Sequence, residues 1–448
     1  MSKAISRRNF LLATGAVGAA GLLAACGGNS ASSTASSVAS APAASADESL
    51  ALTDGPVSMT ISWWGGDSRH EAYQNAIKEF QAEHSNITIE PTFAAWSGWE
   101  EKMAAAFIAG NAQDVCQVNW NWLYNYSADG SKFVDLNTVS NFLDLTQWDK
   151  AAMDACYVAN SQQCVPVSMT GRIFFWNMTT FNKAGITEVP TTWDAFLADC
   201  EAIKANGISP VYYSGVDTWT LQFFALMGWY SDYAPEDAQA FADAMSTNQK
   251  HWSDMNGFID SIGKIKELVD LGYVQETYLS DTYQQAQQAL LDGTCAFYAQ
   301  GDWVVGELEK IDADKTASSI GAFLIPLADH LYCGVGVNKG FYVSKNGKNP
   351  ELAQKVMEAL VSPEAQQAYF DAQSGIPVAN GVTADLKGPY ADIKNILDTA
   401  DLSPQWTDFC KYSKGPLETY ISEVLVGTKT PADVAAALDA DFAKAAID

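Results

Sequence analysis

Apolar and polar residues alternate through Val57-Ser58-Met59-Thr60-Ile61-Ser62-Trp63, which predicts a β-strand. A turn at Gly65-Gly66-Asp67-Ser68 then leads into a helix that carries Tyr73, Ala76, Ile77 and Phe80 on one face. Ile87–Glu90 reads as a second strand. The next helix starts near Gly98, stacks Met103, Ala106 and Phe107, and stops near Gly110-Asn111. Asp114–Val118 reads as a third strand. Three strand–helix alternations predict a mostly parallel sheet with helices on its faces. Later the pattern gives strands at Gly171–Asn177, Thr294–Tyr298 and Ile320–Ile325. Helical segments follow Thr191/Asp194 and run from about Thr218 to Met245 and from Phe258 to Leu271. Asn349-Pro350 and Thr430-Pro431 each cap a helix, the first with Leu352, Val356, Ala359 and Leu360 on one stripe, the second with Val434, Leu438 and Phe442. No repeat of 20–50 residues is present.

The start of the chain is of another kind. A charged segment, Ser6-Arg7-Arg8-Asn9, precedes the apolar run Phe10–Ala25, which ends at Leu23-Ala24-Ala25-Cys26. This resembles a lipoprotein signal peptide with its lipobox, so residues 1–25 are expected to be removed and Cys26 to carry lipid. Ser-Arg-Arg-x-Phe-Leu also resembles a twin-arginine signal, though Leu12 stands where Lys is common, and both export routes stay open. Residues 26–55 form a Ser/Ala-rich tether that as a flexible coil reaches roughly 30 Å. Cleavage removes Lys3, Arg7 and Arg8 and no acid, so 23 basic residues face 53 acidic ones and the net charge is −30. Such a surface repels nucleic acid and anionic headgroups, and solubility outside the cytoplasm accounts for it. The roughly 395 residues that remain suffice for two cores.

The seven cysteines after Cys26 cannot all pair within one chain. Cys116, Cys200 and Cys295 lie in apolar runs and read as buried thiols, while Cys156 and Cys164 bracket a loop and are the best disulfide pair. No C-x-x-C occurs, and four scattered histidines give no H-E-x-x-H, so no metal site and no cofactor are expected. There is no G-x-S-x-G. Ser261-x-x-Lys264 falls inside a helical pattern without a K-T-G partner.

What stands out is tryptophan and asparagine where strands should end. Trp63-Trp64 precedes Gly65-Gly66-Asp67 and Arg69, Trp96 and Trp99 follow the second strand, and Asn119-Trp120-Asn121-Trp122 follows the third. Open α/β sheets bind ligands beyond the carboxyl ends of their strands. Flat rings stack on the apolar faces of sugars, and Asp, Asn and Arg bond hydroxyls in planar arrays. Inside its strand, Trp63 reads as core; Trp64, Trp96 and Trp120 read as ligand platforms.

Trp-Gly-Gly-Asp after strand one, Asp114-Val115 and Val165-Pro166-Val167-Ser168 resemble the bacterial extracellular solute-binding proteins of family 1. So do Gly293-Thr294-Cys295 through Gly301-Asp302-Trp303, Gly340–Lys345 running into Asn349–Ala353, Ser362–Gln366 and Gly375-Ile376-Pro377. The likeness covers about residues 57–448. It implies an α/β, two-lobed periplasmic-binding-protein-like fold (type II) with a ligand cleft between the lobes. The expected division is 56–168 and 328–376 for lobe 1, 169–327 and the C-terminal helices 377–448 for lobe 2. Crossovers are expected near Val165–Gly171 and Pro326–Asn338. On this likeness Trp303 stacks on a sugar; Asp67, Trp99 and Asn121 contact it from the first lobe and Trp219 from the second. Arg172 faces the cleft, with Arg69, Asn119, Gln300, Asp302 and Trp406 beside it. The implied protein is a monomeric, membrane-tethered binder, not an enzyme, whose partners are a carbohydrate and the permease subunits of an ABC transporter. The alternatives are a secreted glycan hydrolase with paired carboxylates and an adhesin-like glycan module.

Overall fold

The computed structural model describes residue 53 and residues 55–445, apart from 96–97, 119–126, 128, 139–142, 159, 235–237, 373–374, 385–386 and 405–415. Cys26, the leader and most of the tether therefore lie outside the described residues, as do Trp96, Asn119, Trp120, Asn121 and Trp406. In chain order the strands are β1 (Val57–Trp64), β2 (Ile87–Ala94), β3 (Val115–Val118), β4 (Tyr157–Val158), β5 (Ser161–Gln162) and β6 (Val165–Asn177). Then come β7 (Ser209–Val211), β8 (Cys295–Gly301), β9 (Ile320–Phe323), β10 (Tyr332–Val343), β11 (Ile376–Pro377) and β12 (Asp401–Pro404).

The first three strands pair in parallel, β2–β1–β3, with the helices Asp67–Glu83 and Trp99–Ala109 as their connections. Being central and covered on both faces, β1 buries Ser62 as well as Met59, Ile61 and Trp63. Trp63 is core, as its position in the strand implies: its indole donates to His70 Nδ1 at 3.0 Å and stacks on Phe93. Gly98 and Gly110 bracket the second helix, both in the left-handed region.

β6 runs 13 residues where periodicity suggested only Gly171–Asn177, and β10 runs 12 where it suggested no strand; each serves two cores. Val165 and Val167 of β6, with Val337 and Phe341 of β10, pack with Met59, Trp63 and the other residues of the first core. Further along, Ile173, Phe175, Cys333 and Val335 enter a core with Val304, Leu308 and Tyr390, and Phe174 enters an aromatic-rich core with Phe196, Phe224, Phe297 and Trp229. The two strands pair antiparallel to each other, so a doubled ribbon joins two α/β lobes. β3 joins the first-lobe half of β10, and β8 and β9 join the second-lobe half of β6. The glycines of Gly334-x-Gly336-x-x-x-Gly340 admit close neighbours: a Cβ on Gly334 would overlap the Tyr230 ring, and one on Gly340 the Cys164 sulfur.

Two local expectations are corrected. The helix Trp193–Ala205 is capped by Thr192, whose hydroxyl accepts from Ala195 N at 3.2 Å, and not by Thr191. Cys164 is a free thiol, so no bond to Cys156 forms; its sulfur turns into the sheet toward Gly340. Ser261-x-x-Lys264 does lie within a helix, Asn256–Asp270, and the Ser261 hydroxyl is spent on Gly257 O at 2.6 Å.

Candidate functional site

The site grows from the ribbon. Arg172 stands on β6 just past the first-lobe core, paired in register with Gly301 at the end of β8. Immediately after β8 the chain is pinned back to β6: the Asp302 carboxylate accepts from the Thr170 hydroxyl and from Gly171 N at 3.3 Å. Its own N–H donates to Gly171 O at 3.3 Å, and its carbonyl accepts from the Tyr390 hydroxyl at 3.4 Å. Asp302 is 2% exposed, so it holds the segment and presents little to the cleft. Gln300 is also fully buried, donating to the Tyr298 hydroxyl at 3.0 Å. That hydroxyl meets Ser214 Oγ at 2.9 Å, and Ser214 donates to Thr220 at 2.9 Å, beneath the turn that carries Trp219.

On this pinned frame sits an aromatic wall. A Cβ on Gly301 would overlap the Trp303 ring, so glycine there lets the indole fold back over the strand end. The Trp303 ring lies 6.3 Å from Trp219 and 5.9 Å from Phe223 between centroids. The Arg172 guanidinium covers Trp303 at 4.9 Å and Phe223 at 5.0 Å. Tyr283 packs edge-on against Trp219 at 5.1 Å, and its N–H donates to Asp217 at 2.7 Å, which fixes the Trp219 turn. Burial pushes the Tyr283 phenol well up, so it stays neutral. Trp219 and Trp303 are only partly buried, so part of each ring surface is open.

On the first lobe, the turn after β1 comes against the helix Val304–Ser319 that follows Trp303, with Gly66 beside the Glu307 carboxylate. Trp64 ends the strand rather than lying in a loop and is 7% exposed; the Arg69 cation sits over its ring at 5.7 Å and donates to its carbonyl at 3.0 Å. Tyr369 hydrogen-bonds Arg69 from the far side. Trp99 opens its helix but is 1% exposed, packed in the first core with Lys102 over its ring. Asp67 begins the helix Asp67–Glu83; its side chain lies outside the described residues. The structure thus gathers Arg172, Trp219 and Trp303 in one wall, buries Gln300 and Asp302 in the frame that carries it, and pairs Trp64 with Arg69 on the first lobe. Sequence reasoning missed Phe223, Tyr283 and Glu307. Phe223 lies in an apolar helical run that reads as core, Tyr283 opens a glutamine-rich stretch with no apolar stripe to mark it, and Glu307 had no motif around it.

Among the described residues no group of His, Cys, Asp and Glu is arranged to hold a metal ion. These rings and the Arg172 cation stand on the second lobe beside the strand ribbon that joins it to the first. The chain belongs to the bacterial extracellular solute-binding protein family, whose profile matches residues 66–367. It is 22% identical to the diacetylchitobiose binding protein DasA of Streptomyces coelicolor over 98% of both chains, and 24% identical to the multiple sugar-binding protein of Streptococcus mutans over 76% of this chain and 80% of that one. Among solved structures, a chitin oligosaccharide binding protein superposes with a TM-score of 0.73 at 21% identity, covering 87% of this chain and 99% of its own. The protein RafE in complex with raffinose gives 0.70 at 19% identity, with 87% and 100% covered.

Proposed function

We propose that this protein captures an oligosaccharide outside the cytoplasm and delivers it to an ABC importer. The observation that carries the reading is the partly open Trp219–Trp303 pair backed by Arg172. Indole faces match the apolar face of a pyranose, and a guanidinium beside them bonds ring hydroxyls in its own plane. The sugar-binding names among the relatives support the same substrate class. Trp303, Trp219 and Arg172 are the contacts from the second lobe. Asp67, Trp96, Asn119, Trp120 and Asn121 are the first-lobe contacts, with Trp64, Trp99 and Arg69 as the floor beneath them, and Trp406 closes the far end. Gln300 and Asp302 hold the wall in shape.

Ligand touching both lobes favours the closed arrangement, and the ribbon of β6 and β10 is the hinge. The protein acts as a monomer, and the lipid on Cys26 keeps it within reach of its permease. A thermal-shift screen across chitin, xylan and raffinose-series oligosaccharides tests the reading: a bound sugar raises the midpoint by mass action, and no shift with any saccharide refutes it. The same incubations read for new reducing ends distinguish binder from hydrolase. Cys26→Ala should move the protein from the membrane fraction to the medium.

A further inference from the structure

The two glycines of the turn after β1 have different reasons to be glycine. Gly65 has φ +146°, a backbone that residues with a Cβ rarely adopt. Gly66 has φ −91° and ψ −178°, extended backbone open to any residue. Its Cβ is excluded by something else: it would overlap the carboxylate of Glu307, which arrives from the helix Val304–Ser319 of the other lobe.

Gly66 is also the N-cap of the helix Asp67–Glu83, and no side-chain hydrogen bond caps that end. The first turn of a 17-residue helix exposes unpaired N–H groups and a partial positive charge. Arg69, in that turn, adds a full one and interacts electrostatically with Glu307. The half-buried carboxylate from the second lobe therefore brings an anion across to a helix end that its own sequence opens with Asp67 and Arg69. The same two helices share a second contact, Lys310 to Glu71 at 3.6 Å, but both side chains are well exposed and such pairs contribute little.

We propose that Glu307 is the latch of the cleft, a positioning residue that stabilises the closed arrangement by capping the helix across the gap, and that Gly66 is glycine to admit it. The role in capture rests on the binding reading above, but the latch itself is tested without a sugar. Small-angle X-ray scattering of the ligand-free mature chain is compared for wild type, Gly66→Ala, Glu307→Ala and the double variant. Gly66→Ala should keep its far-ultraviolet dichroism and scatter with a larger radius of gyration, because the methyl holds the lobes apart. Glu307→Ala should also scatter larger, and adding Gly66→Ala to it should change nothing further. Glu307→Gln keeps the volume and loses the charge, so it should open the cleft only in part. An unchanged radius for Gly66→Ala, or an increase that persists in full beside Glu307→Ala, overturns the latch. The sugar screen succeeds or fails independently of this result.

Discussion

Replacing Trp303 by alanine removes the ring on which the proposed binding mode depends most. One face of the indole is already covered by Arg172 at 4.9 Å, with Trp219 and Phe223 about its edge. Only the other face is available to a ligand, roughly half of the ~200 Å² that such a side chain can bury. At about 25 cal/mol per Å², losing ~100 Å² of contact weakens binding by about 2.5 kcal/mol, which is about 60-fold in Kd. Isothermal titration with the saccharide selected by thermal shift measures this directly. Trp303→Phe should recover part of the loss, since a smaller ring still stacks. The substitution also loosens the wall, so cooperative melting of the variant must be checked alongside. An affinity within twofold of wild type, on a folded variant, would remove Trp303 from the site and with it the stacking argument.

Further outcomes are open to simple measurement. Gly65→Ala meets both an unfavourable backbone and the Arg69 Cδ at 2.5 Å, and should destabilise by about 1–3 kcal/mol in urea titrations; no change in midpoint would contradict the strain assigned to that turn. Burial pushes the Cys116 and Cys333 thiols up to about 12, so iodoacetamide at pH 8 should leave both unmodified in the native protein and label them only after unfolding, as read by peptide mass spectrometry. Burial also raises the Asp232 carboxyl, against the pull of the Gly257 and Phe258 amides at 2.9 Å each. Folding therefore favours its protonated form: the contribution is fullest below the unfolded value near 3.9 and is lost as pH rises through the higher folded one. Asp232→Asn, neutral throughout, should flatten that part of the stability–pH curve in urea midpoints from pH 3.5 to 6; an unaltered curve would exclude Asp232 as its source.

Local signals in the sequence were read well where one element served one core. The strand at Val57, the helix through Tyr73, Ile77 and Phe80, and the helix that starts at Gly98 and stops at a left-handed Gly110 all follow from periodicity and turn chemistry. The Asn349 cap is also as the pattern implies, its side chain accepting from Leu352 N at 3.1 Å. What periodicity could not give was the reach of β6, because alternation describes burial on one core and β6 changes core between Val167 and Ile173. The helix Tyr283–Asp292 was overlooked although Thr282 and Gln285 form a true capping box, since its glutamine-rich stretch has few apolar residues to set a stripe. At the site, Trp219, Arg172 and Trp303 came from likeness to the family, and the structure brings them together. Asp302 came from the same likeness; only the Thr170 and Gly171 bonds reveal how deeply it is tied into the frame.

The ribbon of β6 and β10 also bears on how the chain is made. β3 takes β1 on one side and β10 on the other, and β10 follows it by roughly 220 residues, a strongly non-local pairing. While the nascent chain emerges, the first lobe therefore carries an open strand edge that nothing yet synthesised can cover, the kind of edge that invites pairing with another chain. An exported protein built this way depends on being kept apart from its neighbours until its last third has been delivered.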